Sequence, residues 1–327
     1  MRNVSRTPSA LLVPAPYPAG SPRRRIRVAS LLATVGLGGA LAAACGRDSP
    51  VAPVEATPAA DIVVHDLRGL RVSSIGVDGS VVHAAFTRGH SPLWFPDGKR
   101  VLVFLFPESS MGWEGTQLAI ATPDGGLQRL VDSPGPRNQQ NSAFVAPTGD
   151  WVYFNGVSGA ETGIWRVRSD RTGLELLVPR PNGTPQLTVR GASADNQRLL
   201  VQEYTDTKLP HLAIYDVPAK LLTRLPVQGY FARWSPDGRF IAYIDSHAGT
   251  VSVAGADGSA PRVVFHREPL RVIPATESLR GLTWSPDGRE ILVGIQNRGL
   301  ERIDVASGTS VRVPGSENFV EPDWLRR

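Results

Sequence analysis

Acidic residues recur through this chain in similar surroundings, at Asp97, Asp195, Asp237 and Asp287. Carboxylates recurring in this way could pair as general acid and base, or gather round a metal. Their neighbours argue for another role. Three of the four stand in Pro-Asp-Gly, within WFPDGK (94–99) and WSPDGR (234–239 and again 284–289). Proline presets the first corner of a turn, aspartate bonds the backbone two residues on, and glycine takes the left-handed corner. These acids are therefore expected to shape turns. Trp94, Trp234, Trp284 and Trp324 recur with the same phrase, so they are expected in packing rather than around a ligand. The six histidines (65, 83, 90, 211, 247, 266) show no ligand spacing. A nucleophile elbow is missing, since GVSGA (156–160) fails at its last position, and no zinc, calcium or phosphate-loop motif is present. No motif asks for a cofactor or a metal.

The elements that carry these turns repeat as well. Each copy runs from an apolar stretch ending in Trp, through the turn and a basic residue, into a second apolar stretch such as VLVFLF (101–106), FIAYI (240–244) or EILVGI (290–295). That pattern reads as a β-hairpin. VAPTGDWVYF (145–154) and ASADNQRLLV (192–201) are degraded copies, the second with Asn196 in the glycine place, where asparagine tolerates a left-handed backbone. A second turn series, at Asp78-Gly79, Asp124-Gly125, Asp170 to Gly173, Asp216 to Lys220, Asp257-Gly258 and Asp304 to Gly308, alternates with the first. Two hairpin turns per repeat give four strands per repeat, the blade of a β-propeller. The fold class is all-β. Six repeats share about 265 residues, roughly 44 each. The orphan strand Val320–Trp324 has no hairpin partner downstream, and DIVVHDL (61–67) is a lone strand upstream. Pairing the two completes a sixth blade, closes the ring and removes exposed sheet edges.

These repeats resemble the TolB-type six-bladed β-propeller family, whose blades carry the same Trp-Ser-Pro-Asp-Gly phrase. The resemblance covers residues 61–327. It implies either a stand-alone periplasmic binding module or the propeller that covers a serine peptidase. TolB has a further N-terminal domain, for which this chain has no room, and there is none for a peptidase domain.

Residues 1–44 read as an export signal, with six arginines (2, 6, 23, 24, 25, 27), no acid, and an uncharged stretch from Val28 to Ala44. Arg23-Arg24-Arg25-Ile26 fits twin-arginine export, and an ordinary basic head explains it equally well. Cys45, the one cysteine of the chain, follows in LAAACG, which resembles the lipobox at which a bacterial lipoprotein is cut and lipidated. Cleavage after Ala44 with Cys45 incidental is the alternative. A single cysteine leaves no intramolecular disulfide. Residues 45–60, rich in Pro and Ala, read as a tether. The chain carries a net charge of +5, but removing six signal arginines leaves 29 basic residues against 30 acidic, a net of −1. Nucleic-acid binding, which needs a basic surface, finds no support.

Both turn series are tight, which places the irregular connections on the opposite face of the disc, where binding residues usually sit. Trp113 and Glu114 stand in one such loop, and Trp is a frequent interface anchor. Arg137, Asn138, Gln139, Gln140 and Asn141 form an amide-rich run with donors and acceptors for a peptide or glycan. Tyr204, His211, Arg271 and Arg280 flank two further loops. The expected function is a non-catalytic, monomeric binding module at the bacterial envelope, in the periplasm or at the cell surface. Its partner would be an envelope protein or peptide, and a lipid on Cys45 would hold it to a membrane. The alternative is a channel-site enzyme acting on a small carbohydrate or lactone. Such a site needs polar groups from several inner strands. Those strands are expected to end in Leu-Trp, Phe-Val, Val-Arg, Arg-Trp, Thr-Trp and Asp-Trp, with Glu321 and Asp323 as their carboxylates.

Overall fold

A computed structural model describes residues 61–106, 117–131, 137–267 and 278–326, with residues 137–141 placed as backbone. All lie within the unit Glu55–Arg327. The described residues form 24 strands in six antiparallel sheets of four. The innermost strands of blades 1 to 5 are His90–Trp94, Arg137–Val145, Gln186–Ala192, Tyr230–Trp234 and Leu279–Trp284. In each of these blades the next three strands follow outward in chain order. Blade 6 is built from both ends of the domain. Phe319–Trp324 lies innermost, then Ile62–Asp66, Arg71–Ile75 and Val81–Arg88, with Trp324 opposite Ile62 and Phe319 opposite Asp66. The ring is closed by the C-terminal strand, as the orphan strand predicts.

The turns form as their residues dictate. Gly98, Gly149, Gly238 and Gly288 sit at φ between 64° and 75°, and Asn196 takes the same left-handed corner at 58°. Asp237 Oδ1 accepts from Ser235 Oγ (2.6 Å) and from the Arg239 N–H (3.1 Å), and Asp287 repeats the pattern with Ser285 and Arg289. Those hydroxyl and backbone donors hold both carboxyls below their ordinary range. The recurring acids are turn builders.

The core is divided among the blade junctions. Among the described residues there are six apolar clusters, and each joins two neighbouring blades. Trp284 of blade 5, only 1% exposed, packs with Ala242, Ile244, Val251 and Val253 of blade 4. Trp324 packs with Leu292 and Leu300 of blade 5, and Trp94 with Val63 and Val72 of blade 6. The recurring tryptophans thus act as wedges between sheets. Trp284 also donates Nε1–H to the Arg233 carbonyl of blade 4 (3.1 Å). Trp284→Phe keeps most of the wedge but leaves that carbonyl short of a donor, and should destabilise by about 1–2 kcal/mol. Trp284→Ala adds a cavity and should cost about 3–5 kcal/mol. Urea unfolding of the two variants checks both the size and the order of these effects.

Candidate functional site

Two regions could carry function: the channel through the centre of the disc and the face that bears the loops. The channel wall comes from the six innermost strands. Strand alternation directs two positions inward, the residue before each Trp-equivalent and the residue three before it. Four blades bend sharply at the second of these. Ser91, Phe231, Gly281 and Glu321 all stand three places before a blade Trp, and all have positive φ (48°, 54°, 78° and 52°). The ladder register breaks at each of these bulges. Left-handed backbone is uncommon for a bulky residue such as Phe or Glu. All four residues line one central cavity of about 60 Å³, together with Arg190 and Arg233. The cavity is too small for a sugar and large enough for a few waters or one small ion.

Glu321 and Asp323 do point toward the centre, but both are engaged in holding the ring together. Glu321 Oε2 accepts from the Ser91 N–H (2.8 Å) and the Ser91 hydroxyl (3.0 Å), and lies 3.4 Å from His65 Nδ1. Burial alone would raise its carboxyl, yet the contacts with His65 and Ser91 and the neighbouring charge outweigh that and hold it at about 2. Asp323 Oδ2 accepts from the Trp94 N–H (2.8 Å). Burial pushes this carboxyl up to about 6, against the pull of Arg233 and Arg326. Both acids reach from the closing strand of blade 6 to the backbone of blade 1.

Three guanidiniums share this interior; sequence reasoning placed Arg190 and Arg233 only as ends of inner strands and missed Arg326. Arg233 donates from Nη1 to the Arg190 carbonyl (2.8 Å) and lies over the Phe144 ring at 5.4 Å. Arg326 lies over the same ring at 5.9 Å, near Asp323 at the turn-bearing end. Arg190 bonds Gln202 through Nε and lies over Phe231 at 5.5 Å. Burial lowers all three, Arg233 to about 10; arginine is ordinarily cationic in proteins at neutral pH. Arg190 was expected at the very end of its strand. The strand in fact runs on to Gly191-Ala192, and a bulge between Val189 and Gly191 makes Arg190 the extra residue. Counting back from the repeat would have found the positions of Ser91, Phe231 and Glu321. No sequence signal marks the bulge at Arg190.

The loop face gathers part of what was expected there. Tyr204 ends a strand of blade 3 and lies 6.4 Å from Tyr230 at the start of the inner strand of blade 4. His211 starts the next strand of blade 3, where its ring bonds Gln228 Nε2 (2.9 Å). Arg280, exposed near the start of the inner strand of blade 5, donates from Nε to Ser278 Oγ (3.1 Å) and Gln296 Oε1 (3.2 Å). Residues 137–141 open the inner strand of blade 2 at the same end. Trp113, Glu114, Arg271 and Cys45 lie outside the described residues. Tyr204 and His211 belong to one blade and Arg280 to another, so they share a face without forming a cluster. A larger hollow of about 550 Å³, lined largely by apolar groups including Leu176, Val178 and Leu222, lies between blades 2 and 3 and includes none of the residues singled out from sequence. Among the described residues, no group of three or more His, Cys, Asp or Glu is placed to hold a metal.

No model of a known protein family matches the sequence, and no curated protein matches it. Solved structures with similar folds are numerous. The TolB structure from Acinetobacter baumannii superposes with a TM-score of 0.61 at 15% identity, covering 82% of this chain and 66% of that one. This chain therefore spans just under two thirds of the Acinetobacter protein. A putative TolB from Agrobacterium tumefaciens gives 0.56 at 17% identity, covering 80% and 91%. The periplasmic gluconolactonase of Pseudomonas aeruginosa gives 0.50 at 18% identity, covering 80% and 82%. At these identities the likeness is one of fold: a TolB-like six-bladed β-propeller.

Asp323 and His90 should pull stability in opposite directions with pH. A carboxyl raised on folding from 3.8 to about 6 holds its proton more tightly folded than unfolded, so its contribution falls as pH rises across that range. Burial lowers His90 from 6.5 to about 4, so its contribution is lost as pH falls across that range. In the native protein the two slopes nearly cancel. Asp323→Asn keeps an acceptor for the Trp94 N–H and removes only the first slope. Relative to the native protein, the variant should lose stability on acidification from pH 6.5 to 4. Urea midpoints across that range test this, and parallel pH curves for the two proteins would refute the assignment at Asp323.

Proposed function

We propose that the chain is a non-catalytic binding module of the bacterial envelope. It would hold a protein or peptide segment on its loop-bearing face and be tethered to a membrane by a lipid on Cys45. The observation that carries this reading is the division between the two ends of the disc. One end is a uniform set of tight turns, while the other bears the wider described connections at 180–185 and 205–210 together with Tyr204, His211, Arg280 and the start of the amide-rich strand at residue 137. Variable loops on a rigid scaffold are the usual place for recognition. The charge pattern, the export-type leader at 1–44 and the Pro/Ala-rich tether at 45–60 support an envelope location. So does the shared fold with a gluconolactonase described as periplasmic.

A channel-site enzyme acting on a small lactone is the second reading, favoured by Glu321, Asp323 and His90 around the centre and by the same fold likeness. Two features weigh against it. Both carboxylates are engaged with main-chain donors of the next blade. A carboxyl held at about 2 is also a poor general base at neutral pH.

Photo-crosslinking in living cells separates these readings. A crosslinker at Tyr204 or Arg280 should yield a discrete protein adduct, lost in a Trp113→Ala, Arg137→Ala background. One at Ser259, in a tight turn on the opposite face, should yield none. Adducts from Ser259 alone would place the interface on the wrong face, and lactone hydrolysis abolished by Glu321→Gln would replace the module with the enzyme. Cys45→Ser should abolish incorporation of a labelled fatty acid and release the protein from the membrane fraction.

A further inference from the structure

Among the described residues, the interior of the disc holds more positive charge than negative. Arg190, Arg233 and Arg326 face Glu321 and Asp323, three guanidiniums against two carboxylates. Among the described residues, none of the three arginines has a carboxylate within ion-pair distance. The contacts they do make are with neutral groups: a backbone carbonyl, an amide, the Tyr204 side chain and aromatic rings. Arg233 Nε is buried without a hydrogen-bond partner. All three are partly buried, and charge withdrawn from water in this way is favoured by a nearby counter-charge. The cavity of about 60 Å³ opens directly on Arg190 and Arg233. Glu321 also lines it, but one of its oxygens is already taken by Ser91 and faces His65, and its charge answers only one of the two guanidiniums there.

We propose that the central cavity binds one small monovalent anion, chloride or a carboxylate of one or two carbons, between Arg190 and Arg233. The anion supplies the missing negative charge at the point where all six innermost strands converge. It also holds together residues from four blades: Ser91, Arg190, Arg233 and Glu321. The site borders the partner-binding face at Tyr204, whose side chain bonds Arg190, but neither proposal depends on the other.

The test uses the full chain at fixed sodium and ionic strength, exchanging gluconate, which is too bulky for the cavity, for chloride in one series and for acetate in another. The thermal midpoint should rise saturably with the small anion, by about 2–4 °C at roughly five times its Kd. The series with the lower half-saturation identifies the preferred anion. Arg233→Gln and Arg190→Gln should each abolish the rise. Equal midpoints in all three salts, or a rise that survives Arg233→Gln, would overturn the proposal. Should neither variant fold, the chloride NMR linewidth of the native protein decides. Broadening relieved by acetate supports the site, and an unbroadened line overturns it.

Discussion

Neighbouring blades of this ring share no backbone ladder, and everything else in the structure depends on how that gap is bridged. Each innermost strand pairs with its own blade on one side and meets the channel and the next blade on the other. Main-chain groups along the free edge must still find partners. Side chains from the adjacent blade supply them. Glu321 and Asp323 serve blade 1, Ser142 reaches Val189 (2.7 Å) and Asn155 takes the Val189 N–H (3.0 Å) between blades 2 and 3. Arg233 bridges blades 3 and 4, Trp284 blades 4 and 5, and the Thr283 hydroxyl accepts the Trp324 N–H (3.2 Å) between blades 5 and 6. The apolar clusters add area at the same junctions. The polar bridges add register, since each ties a particular residue of one blade to a particular residue of the next.

That arrangement changes what the buried charges mean. Inward carboxylates in a propeller channel invite a catalytic interpretation, yet here their strongest attachments are to backbone amides of the next blade. Glu321 even adopts a left-handed conformation to make its contact. Strain of that kind persists only where surrounding bonds over-determine it. The same conformation recurs at Ser91, Phe231 and Gly281 with three other side chains, so it belongs to the architecture. What individual blades place on that common bend sets the character of the channel: a hydroxyl, an aromatic ring, a hydrogen and a carboxylate.

Much of this was legible in the sequence because turn chemistry is local. Pro-Asp-Gly states its geometry in three residues, and Asn196 could be placed in a left-handed corner for the same reason. The closing strand was legible by counting, since Trp324 ended a strand with nothing downstream to pair with. The inward turn of Arg190 and the interior position of Arg326 were not available. Arginine is ordinarily a surface residue. Arg190 turns inward only through a bulge, and Arg326 lies beyond the last strand with no repeat to compare it with. Likewise, Glu321 was visible as an inward acid, but its engagement with Ser91 depends on two chain segments 230 residues apart.

The seam between Ile62–Asp66 and Phe319–Trp324 has a consequence for how the molecule comes into being. A chain is made from its amino end, so the first three strands of blade 6 exist long before the fourth. Through the whole of synthesis, Ile62–Asp66 offers an open, apolar edge with no native neighbour. Five blades can assemble in order as they appear, but the ring stays an open arc until the last strand arrives. A ribosome that stops even ten residues short would release a molecule with nearly all its sheets built and an adhesive gap in its side. Such a product is a natural target for holding chaperones and for quality-control proteases.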